Sequence, residues 1–364
     1  MSDNIMSDES ENNVISGGKL YDEGYYGCVF MPALKCRDDD KQTLPKNTQI
    51  KNGKVLDKLI LASEAEDEFD ISQSIHEIPL WKNYFIVSDT MCEPAPIQQQ
   101  TEKELSRCKV IDGKTLSAFR ILRMTFGGVP LSLYRVNVDT FPLIDMFKHL
   151  LEGVSLLTLF GIVHRDLHQG NILIDKSNVA RIIDFNLSIN ARHEITSRDI
   201  RHGYTLSAFQ EPPDSTLVNA VALGYRGERV IESIIYQKPI FRNIQSLLGV
   251  SLDEMKQDLE YFYEKSVSVQ NGYDDKWFRT YWRTIDSWAI GVNFIMIIMK
   301  LSMWPQFQQT QWKQDGPKMI PILKKLCEVN PVKRYDSVQA LQALDPQNYI
   351  IRRYGQNWLT KVRK

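Results

Sequence analysis

The stretch Ile162-Val163-His164-Arg165-Asp166-Leu167-His168-Gln169-Gly170-Asn171-Ile172-Leu173-Ile174, followed shortly by Ile182-Ile183-Asp184-Phe185-Asn186, decides how this chain is read. Residues 172–174 and 181–183 are short apolar runs of strand character around a turn at 175–178. Asp166, Asn171 and Asp184 stand on the loops beside them. Any one of these alone reads as a turn residue. In this order, bounded by apolar strands, they read as a set of polar groups held by a rigid frame.

The stretch closely resembles the catalytic and metal-binding loops of protein kinases, H-R-D-L-x-x-x-N and D-F-G. The resemblance implies an enzyme using ATP and Mg2+. Phosphoryl transfer is mostly positioning and charge stabilisation. One carboxylate orients the attacking hydroxyl, the role that falls to Asp166. An amide and a second carboxylate hold magnesium on the phosphates, the role of Asn171 and Asp184.

Three outlying pieces agree with the family. Asp286-Ser287-Trp288-Ala289-Ile290-Gly291 resembles the D-x-W-x-x-G that opens the central helix of the large lobe, where the Asp braces the catalytic loop. Pro212-Pro213-Asp214 resembles A-P-E, with Asp214 for Glu and Arg334 as its expected ion-pair partner; Glu211 competes for that role. Asp22-Glu23-Gly24-Tyr25-Tyr26-Gly27-Cys28-Val29 resembles the glycine-rich loop with Asp22 in place of its first Gly. By that likeness Gly24, Tyr25, Tyr26, Gly27, Cys28 and Val29 would cover the nucleotide.

The phosphate-pairing lysine has two candidates. Lys35 lies six residues after Val29 and behind Pro32, too little chain for a strand, a turn and a returning strand. Lys58 sits in the strand-like run 55–61, directly before a Glu-rich helix expected over 63–78, and is preferred. On that helix Glu64 and Glu68 share a face. Glu68 is preferred because Ile71 and Ile75 follow it on the buried edge. Lys58 and Glu68 thus join Asp166 as the catalytic candidates.

The resemblance covers about residues 19–345. A narrower likeness, in Gly27-Cys28-Val29-Phe30-Met31-Pro32-Ala33-Leu34-Lys35-Cys36 with Lys58 and Met91-Cys92, is to the serine/threonine kinases of large cytoplasmic DNA viruses of the mimivirus and asfarvirus groups. The pattern also breaks in places. His168 replaces the usual Lys, and D-L-H-x-G-N is shared with kinase-like enzymes of small molecules. Asn186 replaces the Gly of D-F-G, as the residue that best tolerates left-handed backbone after glycine. By the same family resemblance, Arg165 beside Asp166 implies a phosphate-responsive activation segment, with Thr196, Ser197, Thr205 and Ser207 as candidate phosphosites and constitutive activity as the rival expectation.

The remainder of the chain fits around this centre. Its 364 residues carry 44 Lys plus Arg against 45 Asp plus Glu, net −1, which removes a global electrostatic case for nucleic acid or an anionic membrane as partner. The apolar run 288–299 is short of the roughly 20 residues of a membrane span and reads as a buried helix. Five scattered cysteines without C-x-x-C suggest neither a disulfide framework nor zinc; Cys36 and Cys92 read as buried free thiols, and a reducing compartment fits.

The expected architecture is α+β and bilobal. It has an acidic disordered tail over 1–16, a small antiparallel-sheet lobe with one helix over 17–126, and a larger, mainly helical lobe over 127–350. The 72 positions from Asp214 to Asp286 imply an insertion at about 215–280, built of helices such as 229–237 and 252–265. A docking partner could use it; packing onto the large lobe is the alternative. A solvated basic tail, 351–364, closes the chain. The expected function is transfer of the γ-phosphate of ATP to Ser/Thr of a protein substrate in the cytoplasm: the host cytoplasm, or a virion, if the chain is viral. A catalytically impaired pseudokinase acting as a binding module is the alternative, and a small-molecule kinase a third reading.

Overall fold

The computed structural model describes residues 18–24, 27–37, 55–138 and 140–362. They form two compact units: Met1–Phe69 with Ser88–Phe126, and Asp70–Val87 with Gly127–Lys364. The expected acidic tail, Tyr25, Tyr26 and most of the connection after Cys36 lie outside the described residues.

The smaller unit is one antiparallel sheet of strands β1 (Leu20–Glu23), β2 (Gly27–Phe30), β3 (Val55–Leu61), β4 (Thr90–Cys92) and β5 (Phe119–Thr125), ordered β1-β2-β3-β5-β4. β3 is the centre: Lys58 lies opposite Val29 on one side and Leu122 on the other. Its Val, Leu and Ile side chains suit a pleated surface packed on both faces. Gly27 has no room for a side chain, because a Cβ would collide with the Ile60 side chain and the Leu59 carbonyl of the neighbouring strand. The helix Ala62–His76 starts directly after β3.

Four of the five cysteines correct the sulfur reading. Cys28 and Cys108 form one disulfide and Cys36 and Cys92 another, with Cα separations of 6.0 and 5.9 Å. Only Cys327 is free, and it is buried. The partners are 80 and 56 residues apart, so no local spacing announces them. The segment between β4 and β5 folds over β1 and β2, where Glu104 accepts from Leu20 N and Glu23 from Lys109 N, and this brings Cys108 to Cys28. The cysteine pattern therefore gives no support to a reducing compartment.

The larger unit is mainly helical. Leu143–Phe160 is long and apolar on most of its surface, and Gly161 ends it in the left-handed conformation at φ 81°. The helix Ile285–Leu301 has 14 of its 17 residues buried. By length and composition the run 274–301 could cross a membrane, but its apolar window is 83% buried inside the protein, which is how a core helix passes that test. Two small sheets frame the loops of interest: β6 (Val129–Pro130), β8 (Ile172–Ile174) and β9 (Ala180–Ile182) form one, β7 (Ile162–Val163) and β10 (Ile189–Asn190) the other. After the short helix Trp81–Tyr84, Phe85 bridges to Ile182, and Ile86 N donates to Ile182 O at 3.0 Å.

The segment between Asp214 and Asp286 folds as helices that include Gly227–Gln237, Ile240–Leu248 and Leu252–Lys265, with Ile231, Ile234, Phe241, Ile244 and Leu259 in the core. The C-terminal segment is not a solvated tail. It is helical from Ile351 to Val362, with Ile351 and Leu359 buried and Trp358 Nε1 donating to Asp336 at 2.9 Å. Its basic charges hide an apolar stripe, and the stripe decides the outcome.

Candidate active site

In the smaller unit, Lys58 projects from the central strand and its Nζ lies 2.7 Å from Glu68 Oε2; the two side chains are 12% and 5% exposed. The first turns of the following helix place Glu68 there. Glu64, one turn earlier, makes no bond to Lys58; its Oε2 is buried without a partner, and burial raises its carboxyl above the ordinary range. Lys35 lies outside the strands, its backbone tied to the Gln100 side chain. Gly24 N donates to Gly27 O at 2.8 Å, closing the turn between β1 and β2, and Cys28 and Val29 continue β2.

In the larger unit, the catalytic-type loop hangs on Asp286. Its carboxylate accepts from His164 N at 2.7 Å and from Arg165 N at 2.9 Å. Burial pushes this carboxyl above its ordinary range, while His164, the two amides and the Arg165 charge pull it back. These bonds hold Arg165 at φ 70°, a conformation costly for a side chain with a Cβ. Asp184 is likewise left-handed, at φ 65°. Asn186 is not: the strained position expected at 186 falls two residues earlier, on the acid itself. His164 Nε2 reaches Ile183 O at 2.9 Å, and Phe185 packs on His164 and Phe85, so the residues flanking Asp184 are fixed.

Asn171 Nδ2 donates to Asp166 O at 2.9 Å, which leaves its amide oxygen as the atom suited to a hard cation. Asp166 Oδ1 accepts from Gln210 Nε2 at 2.7 Å, and His168 Nε2 lies 3.7 Å from Asp166 Oδ2. Asp214 pairs with Arg334 at 2.7 Å, both side chains fully buried, and also accepts from Trp277 Nε1.

Sequence reasoning missed what holds the segment from Ile189 to Pro213. Arg165 spends its guanidinium on the carbonyls of Asp199 and Ile200, at 2.9 and 2.6 Å. Thr196 and Asp199 form a capping box on the short helix Ser197–Ile200. Asp274, from the region expected to be an insertion, bonds Ser197 Oγ and Arg201 Nε, and Arg279 donates to Ile195 O. Glu211 is buried among His202, Ser215 and Thr216, with Lys238 Nζ on its carbonyl at 2.7 Å. Burial lowers Lys238 to about 8, against the pull of Glu211 and Asp214. Burial also opposes the charged forms of Glu211 and His202, but their mutual bond wins, holding Glu211 below and His202 above their ordinary ranges. Arg165 and Glu211 stand in or beside motifs, but Asp199, His202, Lys238, Asp274 and Arg279 stand in none, so no local signal could find them.

A small antiparallel-sheet lobe with a helix, and a larger helical lobe carrying an Asp-braced loop with Asp166, Asn171 and Asp184, define a protein-kinase-like fold. The family model for the protein kinase domain matches residues 130–209, the part that contains all three residues. The chain is similar to mitogen-activated protein kinase 13 of Homo sapiens, 23% identical over 197 residues, 53% of this chain and 47% of that protein. It is also similar to sperm motility kinase 2A of Mus musculus, 43% identical over 47 residues, 13% of this chain and 9% of that one. The matches thus span about half or less of the relatives' length. A protein-kinase domain of eukaryotic type is present in this chain.

Proposed function

We propose that this protein transfers the γ-phosphate of ATP to Ser or Thr hydroxyls of protein substrates. The observation that carries this reading is the Lys58–Glu68 pair. Burying two charges costs several kcal/mol or more in desolvation, and a fold that needed only packing would do as well with apolar residues. An ammonium held by a carboxylate suits a phosphate-clamping lysine.

The donor set fits ATP with magnesium. Among the described residues no three His, Cys, Asp or Glu side chains cluster as a metal cage. Magnesium on a nucleotide usually takes only one or two protein oxygens, the rest being phosphate and water. The Asn171 amide oxygen and the Asp184 carboxylate are that kind of pair. The metal, when bound, would neutralise charge on the phosphates. The chain's own residues would do the remainder: Lys58 clamps the phosphates, Glu68 holds Lys58, the turn from Gly24 to Val29 covers the nucleotide, and Asp166 orients the acceptor hydroxyl.

A pseudokinase reading draws on Asp22, Asn186 and Asp214. The last keeps its ion pair with Arg334, which weakens that argument. The likeness to kinases of large DNA viruses rests on residues 27–36, 58 and 91–92 and stays part of the proposal.

The test is a competition. The protein is given labelled Mg-ATP with a generic basic protein and a mixture of hydroxylated metabolites. Phosphoserine or phosphothreonine in the protein acceptor is the expected product; label appearing on the metabolites instead would move the reading to a small-molecule kinase.

A further inference from the structure

We infer that Gln210 is a positioning residue for Asp166 and fixes which of its carboxylate oxygens meets the acceptor hydroxyl. The inference rests on the phosphoryl-transfer reading above. Gln210 Nε2 donates to Asp166 Oδ1 at 2.7 Å, so that oxygen is engaged and the carboxylate plane is set. Oδ2 faces His168 Nε2 at 3.7 Å, too far for a direct hydrogen bond. His168 Nδ1 accepts from Gly170 N at 3.0 Å, so in the neutral ring Nε2 carries the hydrogen. An acceptor hydroxyl at this spot would donate to Oδ2, take the His168 N–H on one lone pair and present the other to phosphorus. As the substrate oxygen bonds to the γ-phosphorus and the bond to the ADP oxygen breaks, the hydroxyl proton passes to Oδ2.

Gln210 is itself held from both sides. The preceding carbonyl, Phe209 O, accepts from Trp288 Nε1 at 3.0 Å, on the same helix whose Asp286 braces the catalytic-type loop. The following residue, Glu211, is buried, with its side chain bonded to Ser215 Oγ and Thr216 Oγ1 at 2.9 and 3.0 Å and its carbonyl to Lys238 Nζ at 2.7 Å. A side chain supported this way can keep an acid within the few tenths of an ångström that transfer requires. One helix thus orients the loop directly through Asp286, and the Asp166 carboxylate indirectly through Trp288, Phe209 and Gln210.

Two variants of the full chain test this: Gln210→Met, which keeps the length and removes the donor, and Gln210→Lys, which restores one. Their transfer kinetics are read beside a stability cycle of Gln210→Met with Asp166→Asn. The expectation is a kcat lowered about ten- to a hundredfold in Gln210→Met, a KM for ATP within about twofold, recovery of most of kcat in Gln210→Lys, and non-additive stabilities in the cycle. Active wild type with unchanged kcat in Gln210→Met overturns the positioning role alone; a raised kcat does so by making the contact a block on the acid. A loss that Gln210→Lys does not recover reduces Gln210 to packing. A wild type inactive toward every acceptor, with the cycle still coupled, overturns the phosphoryl-transfer reading and the role with it while leaving the contact.

Discussion

The two units hold their candidate site residues by different means. Among the described residues the smaller one has two separate apolar clusters, of nine and of three buried residues, and adds to them two disulfides and the buried Asp57–Arg123 and Lys58–Glu68 pairs. Among the described residues the larger one has a single apolar cluster running from Ile75 to Leu359, holds no disulfide, and buries charge too, at Glu211, Lys238, Asp274, Asp286 and the Asp214–Arg334 pair. A small core excludes too little water to fix a sheet alone, so cross-links stand in for packing. The lesson is that Lys58 depends on sulfur chemistry in a way that Asp166 and Asp184 do not.

The largest effect is expected where a buried pair is broken. Arg334→Met leaves the Asp214 carboxylate uncompensated, and urea unfolding should show a loss of about 3–5 kcal/mol, all of it in the larger unit. A loss below about 1 kcal/mol would mean that water reaches Asp214 and that the larger unit does not rest on this pair. Next comes the replacement of Cys28 and Cys108 by Ser. Closing an 80-residue separation stabilises by roughly 4 kcal/mol in the chain-entropy account. All seven tryptophans lie in the larger unit, so their fluorescence should unfold as in wild type while hydrogen exchange in β2 and β3 accelerates. A fluorescence transition that shifts equally would erase the contrast between the units.

The smallest of the three is a pH effect. Lys238 falls from 10.5 to about 8 in the folded state, so between those values the unfolded chain binds the extra proton and stability rises with pH. The rise should be at most about 3 kcal/mol and should vanish in Lys238→Met. Parallel pH profiles for wild type and variant would show that Lys238 keeps an ordinary affinity for its proton.

The catalytic-type loop was legible in the sequence because its residues are neighbours along the chain: strand, turn and strand carry Asp166, Asn171 and Asp184 within a span of 19 residues. Lys58 and Glu68 were legible for a similar reason, the helix following the strand at once and its apolar residues marking the buried edge. The cystines were not, since pairing across 80 and 56 residues depends on how the segment before β5 folds. Nor were Gln210, Lys238 and Asp274, whose meaning comes from residues 22 to 77 positions away, Gln210 with Asp166, Lys238 with Thr216 and Asp274 with Ser197. The C-terminal segment misled because its five basic residues outweighed, in the reading, Ile351 and Leu359 at a spacing that buries both.

The central claim is that this fold is catalytically competent. Wild type and Asp184→Asn, matched in unfolding transition and purified side by side, should be given labelled Mg-ATP and an acceptor protein. Label on Ser or Thr from wild type and none above background from Asp184→Asn is the predicted result. Equal labelling by the two, or none from a wild type that binds the nucleotide, would contradict it.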